Sequence, residues 1–220
     1  MPALQSSSGN AEFSVSAVLK KTADVLLSNR VMQSILIIYL LLSFFGLLPW
    51  ETSSSITLLR FILWGLATLF LYAVLIKLAF DILTDPVHYR ISDAFLLGAK
   101  RFIHFAAANI MLFLIILLGL VLFIIPGIYL IFRLIFVSHF LLLNNSGITM
   151  SFKKSRQLTH GRWDSLFVLF LIWAAAFGLV LLISAYTINS IGILLAVLAF
   201  AYCSAFFVVL YTYVFLILTQ

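Results

Sequence analysis

Charge is what this chain has least of. Lysine, arginine, aspartate and glutamate make up 9% of its 220 residues, against roughly a quarter in soluble domains. A surface solvated by water is therefore excluded. Cysteine occurs once, at Cys203, so no disulfide can form within the chain. Proline occurs four times, and Pro49, Pro86 and Pro126 fall at the ends of apolar runs, where a helix must stop. The sequence has no HExxH, no Gly-x-Ser-x-Gly, no Walker lysine loop and no GxGxxG, so the common routes to metalloprotease, serine hydrolase, nucleotide and dinucleotide chemistry are missing. His88, His104 and His160 have no second ligand at metal spacing. No enzyme activity, cofactor or metal is expected.

Apolar residues are what it has most of, at 65%, with a mean hydropathy of +1.23. They fall into six runs, about residues 31–50, 58–83, 103–125, 128–143, 166–186 and 191–218. A helix needs roughly 20 apolar residues to cross the hydrocarbon at 1.5 Å per residue. The expected fold is all-α: a polytopic bundle of six transmembrane helices forming one domain over residues 11–220, after a flexible tail at residues 1–10. The last run is long enough to require tilt. Proline followed by glycine at Pro126 and Gly127 predicts a helix reversal with almost no loop. Ala174 with Gly178, Gly192 with Ala196 and Ala201 with Ala205 are small pairs four apart, which predicts a close approach of the last two helices.

Three polar segments separate these runs. Residues 13–27 carry an apolar stripe, Val15, Val18, Leu19, Val25 and Leu26, with Lys20, Lys21 and Asp24 off it. Residues 85–102 and 144–163 repeat the theme. The starts Phe13-Ser14-Val15-Ser16, Ile91-Ser92-Asp93-Ala94 and Ile148-Thr149-Met150-Ser151 share one pattern. The chain thus reads as three pseudo-repeats of amphipathic surface helix plus transmembrane hairpin. Lys20, Lys21, Arg30, Arg90, Lys100, Arg101, Lys153, Lys154, Arg156 and Arg162 all lie in these segments or, for Arg30, between the first segment and the run after it, whereas residues 51–57, 126–127 and 187–190 contain no lysine or arginine. Basic residues accumulate on the cytoplasmic side, so both termini are expected there. The net charge of +6 sits beside apolar spans. Its partner is an anionic lipid surface, with Lys20, Lys21, Lys100, Arg101, Lys153, Lys154, Arg156 and Arg162 as the contacts, and not nucleic acid.

Within the apolar runs, charge is conspicuous. Arg133 lies six residues past Gly127, about 9 Å along a helix. At that depth it must pair, snorkel or meet water. It reads as an internal anchor neutralised by Glu51 or by carbonyls at a helix end, as a snorkelling side chain, or as a phosphate site. His139 reads as an interhelical hydrogen-bond donor. Lys77 and Asp81, four apart, can pair on one face. Asp81, Asp85 and His88 read as an interfacial charge cluster in preference to a cation site.

Pro126-Gly127-Ile128-Tyr129-Leu130, Arg133-Leu134 and Phe136, followed by Ser155, Leu158-Thr159, Gly161 and Trp163, resemble the YciC family of bacterial inner-membrane proteins. There is wider similarity to the membrane domain of some glycerophosphodiester phosphodiesterases. The resemblance covers mainly the third to fifth helices. It implies a six-helix protein of the bacterial cytoplasmic membrane and no known reaction. The function expected is non-enzymatic: membrane or envelope organisation through lipid binding or membrane protein partners. The alternative is a transporter or lipid-translocating protein with Arg133, His139, Lys77 and Asp81 along a path.

Overall fold

The computed structural model describes residues 15–47, 54–186 and 190–219. The tail at residues 1–10, Phe13, Ser14, Pro49 and Glu51, named above, lie outside the described residues. Among the described residues there are nine helices and no strand. α1 (Val15–Ser28) buries Val18, Thr22, Val25 and Leu26 and turns Lys20 and Lys21 outward. One residue, Asn29, separates it from α2 (Arg30–Leu47). The Asn29 carboxamide oxygen accepts the N–H groups of Val31 at 3.0 Å and Met32 at 3.2 Å, which caps the first turn of α2.

α3 (Ser54–Thr84) and α4 (Ile91–Leu122) follow, then α5 (Ile124–Leu134), α6 (Val137–Leu143), α7 (Ile148–Leu158), α8 (Trp163–Tyr186) and α9 (Ser190–Thr219). Four helical stretches among the described residues are long and apolar enough to cross a membrane: Thr57–Thr84, Ile91–Leu122, Pro126–Leu143 and Phe200–Thr219. Asp164–Leu179 is a shorter apolar stretch. The chain is an integral membrane protein, and its outward apolar side chains, such as Ile103 and Val121 at 80% and 75% exposure, face hydrocarbon instead of water.

The second half of α3, α6 and the second half of α9 lie innermost. Ala73 to Ala79 of α3 pack with Ala94, Phe105 and Ala108 of α4, with Leu141 and Leu142 of α6, and with Ala205, Val208 and Val209 of α9. A second cluster joins Phe132, Phe136 and Phe140 to Leu166 and Leu169 of α8, to Tyr211 and Phe215 of α9, and to Val18 of α1. Aromatic edges do much of this packing: Phe132 meets Phe167 and Phe170 near right angles at 5.5 and 5.4 Å, a favoured geometry.

Several expectations are revised. The second surface segment is not a separate helix. It is continuous with the span in α4, because no proline interrupts residues 91–122. The fourth run is not one helix either, since α5 and α6 part at Ile135 and Phe136. The reversal expected at Pro126 and Gly127 falls at Phe123, the single extended residue (φ −154°, ψ 124°) between α4 and α5. Pro126 sits in the first turn of α5, where a missing N–H leaves no helical bond unmade.

Gly127 serves close contact instead of a turn. A Cβ there would lie 2.6 Å from the Leu120 backbone nitrogen, and one at Gly119 would lie 2.9 Å from Leu130 Cδ1 and 3.2 Å from Gly127 Cα. Two glycines thus let α4 and α5 touch backbone to backbone. Gly178, expected to do this for the last two helices, faces open space. There α8 and α9 meet through Trp173, stacked on Phe177 at 5.5 Å and tilted against Phe207 at 4.8 Å. The Trp173 indole N–H also donates to the Cys203 carbonyl at 2.8 Å. Gly127→Ala should therefore lower stability by about 1–3 kcal/mol through overpacking. Gly178→Ala should leave it unchanged or raise it by up to about 1 kcal/mol, both read by thermal unfolding in detergent micelles.

Candidate functional site

The break between α5 and α6 organises the site. Where a helix is interrupted inside an apolar bundle, freed backbone groups need partners that water cannot supply. The Phe136 N–H donates to Ser155 Oγ at 3.2 Å, and that hydroxyl donates to the Arg133 carbonyl at 2.9 Å. The Thr159 hydroxyl lies 3.0 Å from the Ser155 carbonyl and 3.4 Å from that of Arg133. Ser151, Ser155 and the C-cap Thr159, four residues apart, form the fully buried face of α7, so α7 packs back through hydroxyls, with apolar Ile148 and Leu158 against the core at its two ends. Gly161 then takes a left-handed conformation, φ 76°, which glycine adopts without steric cost.

Arg133 completes this junction. Its Nε donates to the Tyr129 hydroxyl at 2.7 Å and its Nη1 to the Arg156 carbonyl at 2.8 Å, while its guanidinium carbon lies 5.1 Å from the Tyr129 ring centroid. The Arg156 carbonyl belongs to the last turn of α7, where unpaired carbonyls carry the negative end of the helix dipole. Arg101 repeats the arrangement, its Nη1 donating to the carbonyls of Leu142 at 2.7 Å and Leu141 at 3.3 Å. Those oxygens end α6. Expected on the lipid-facing surface, Arg101 is instead half-buried and turned to a helix terminus.

Between α4, α5 and α7 lies a groove of about 880 Å³, lined by Arg133, Lys153, Arg156 and His160, by the polar Thr149 and Gln157, and by apolar Ile115, Leu130, Leu134 and Phe152. None of the lining residues is acidic. The side chains of Lys153, Arg156 and His160 are exposed and have no hydrogen-bond or ion-pair partner among the described residues. Lys154 leaves the groove, donating to Ser146 Oγ at 3.0 Å with its ammonium 5.8 Å from the Phe140 ring centroid. Lys20, Lys21, Lys100 and Arg162 are exposed on α1, on α4 and beyond Gly161.

The other polar residues singled out in the sequence are each engaged separately. His139 is buried, its Nε2 3.1 Å from Thr212 Oγ1. Thr212 spends its own proton on the Val208 carbonyl at 2.7 Å, so Nε2 is the donor, and Nδ1 has no partner among the described residues. Lys77 pairs with Asp81. No bond among the described residues links Arg133, His139 and the Lys77–Asp81 pair into one chain. Asp85 closes the turn after α3: one carboxylate oxygen accepts the N–H groups of Val87 and His88 at 3.1 and 3.2 Å, the other lies 3.1 Å from His88 Nδ1. Among the described residues no three His, Cys, Asp or Glu side chains cluster as metal ligands would.

The hydroxyl ladder of α7 is legible in hindsight from the spacing of Ser151, Ser155 and Thr159. Tyr129, four residues before Arg133, is its natural helical neighbour. Thr149, Phe152 and Gln157 carry no pattern that would single them out. No family model, curated protein or solved structure matches this chain.

Ser155→Ala strands the buried Phe136 N–H, which should cost about 1–3 kcal/mol in thermal unfolding, whereas exposed Gln157→Ala should change stability by less than about 0.5 kcal/mol. The Asp85 carboxyl is held below its usual range, first by the Val87 N–H and then by His88. Because its folded pKa is depressed, the turn is fully stabilised above the ordinary carboxylate range, about pH 4, and loosens as pH falls through the lowered value. Amide exchange at Val87 and His88, corrected for intrinsic rate, should rise over that window and should lose this pH dependence in Asp85→Asn.

Proposed function

We propose that this protein crosses a bacterial cytoplasmic membrane six times with both termini on the cytoplasmic side, and that it acts without enzymatic chemistry. Its role is membrane or envelope organisation, exercised by holding anionic lipid, and membrane protein partners, against its basic helices. α2, α3, α4, the α5–α6 pair, α8 and α9 supply the crossings in this reading. Membership of the YciC family belongs to the same proposal, and so does the bacterial membrane; it is supported by the way Arg133, Ser155, Thr159 and Gly161, which carry the resemblance, fall in or beside one junction.

The observation that carries the functional reading is the exposure of cations without acidic partners. Lys20, Lys21, Lys100, Lys153, Arg156 and Arg162 are all exposed, and none of them forms an ion pair among the described residues. Basic side chains near a membrane surface contribute about 1 kcal/mol each to attraction of anionic lipid, whereas paired ones would be self-satisfied. Reconstitution in nanodiscs of mixed phosphatidylglycerol and phosphatidylcholine tests it. The wild type should retain phosphatidylglycerol preferentially, and Lys20→Gln, Lys21→Gln, Lys100→Gln, Lys153→Gln and Lys154→Gln combined should cut that enrichment several-fold. Equal retention of the two lipids by the wild type would remove the basis of the reading.

A further inference from the structure

Lys153 and Arg156 project from α7 at a spacing of three residues, which places them on one face, and His160, two residues past the helix end, lines the same groove. Arg133 approaches from α5. Its direction is set by the bonds of Nε to Tyr129 and of Nη1 to the Arg156 carbonyl, leaving Nη2 without a partner among the described residues. A guanidinium held this way offers N–H groups already aimed, the arrangement that suits a phosphate oxygen pair. Thr149 and Gln157 add polar groups on the α7 side, and Ile115, Leu130, Leu134 and Phe152 form an apolar wall; next to Ile115 the α4 surface continues as exposed Met111, Leu114 and Leu118. An occupant has to be anionic at one end and apolar along its length.

We propose that the groove between α4, α5 and α7 holds one anionic glycerophospholipid, with its phosphate on Arg133, Lys153 and Arg156 and an acyl chain along Ile115 and the outer face of α4. This rests on the lipid-binding reading above and sharpens it from a diffuse basic surface to one saturable site. The groove volume, about 880 Å³, falls in the range of roughly 300–1,000 Å³ usual for small-molecule sites, enough for a headgroup and the first part of its chains. A soluble phosphate satisfies the cations and leaves the apolar wall without an occupant of its own kind, so the lipid is the better fit.

The test uses the full chain in micelles containing phosphatidylcholine, titrated with phosphatidylglycerol, with retained lipid counted by native mass spectrometry. One phosphatidylglycerol should bind saturably. Lys153→Gln with Arg156→Gln should weaken it about tenfold or more, as loss of charge-assisted hydrogen bonds does. These two side chains have no partner among the described residues, so the double variant keeps the fold, whereas Arg133→Gln also uncaps α7. Lys20→Gln with Lys21→Gln should leave the single site intact. A phosphatidylglycerol with a photoreactive acyl chain should label α4 near Ile115.

Unchanged affinity in the Lys153 and Arg156 variant, with loss in the Lys20 and Lys21 variant, would overturn the groove and leave the general lipid reading standing. Equal retention of phosphatidylglycerol and phosphatidylcholine by the wild type would remove both. Displacement of the lipid by an equal concentration of glycerol 3-phosphate would overturn the lipid assignment in favour of a soluble phosphate.

Discussion

Main-chain groups at helix ends and breaks have to find partners in a bundle surrounded by hydrocarbon, and the organisation of this protein follows from how they are found. In water such groups are solvated freely, whereas in lipid each one left bare costs several kcal/mol. Side chains of a few residues meet that demand: Asn29 at the start of α2, Arg101 at the end of α6, Arg133 at the end of α7, and Ser155 at the gap between α5 and α6. Each is polar in a chain that has few polar residues. Their placement is therefore informative in a way that an individual leucine is not.

The same demand explains why α5 and α6 are two helices and not one. A straight helix over residues 124–143 would need no help from α7. The interruption at Ile135 and Phe136 frees an N–H and a carbonyl, and the Ser155 hydroxyl inserts between them, donating to one and accepting from the other. The third basic segment is held to the bundle by that insertion. With α7 fixed through its hydroxyl face, its opposite face is committed to the groove, and the cations there are positioned by contacts they do not themselves make.

The helical class, the apolar runs and the amphipathic stripe of α1 were legible because each rests on a period or a length that sequence displays directly. Arg133 is legible for the same reason, as a charge among apolar residues whose depth demands a partner such as the carbonyls at a helix end. Its acceptor on α7 is not legible, since that acceptor is the backbone of Arg156, and main-chain acceptors look alike at every position. Pro126 and Gly127 read locally as a turn because that pair usually makes one. In the structure a backbone crossing against Gly119 takes precedence, a long-range contact invisible to local reading. Gly178 shows the converse: α8 and α9 do meet, but through Trp173 and Phe207, while the small residue at 178 faces open space. The continuity of α4 through its basic start was hidden because charge pattern resembles that of α1 while the helix-breaking residue is missing.

Arg133 grips a peptide oxygen at position 156, and every amino acid has one. The side chain at 156 is thus free to vary in size and sign without loosening the joint between α5 and α7. Mechanical attachment and electrostatic character are written into different atoms of a single residue, so natural or engineered variants can retune the charge of the groove on an unaltered scaffold.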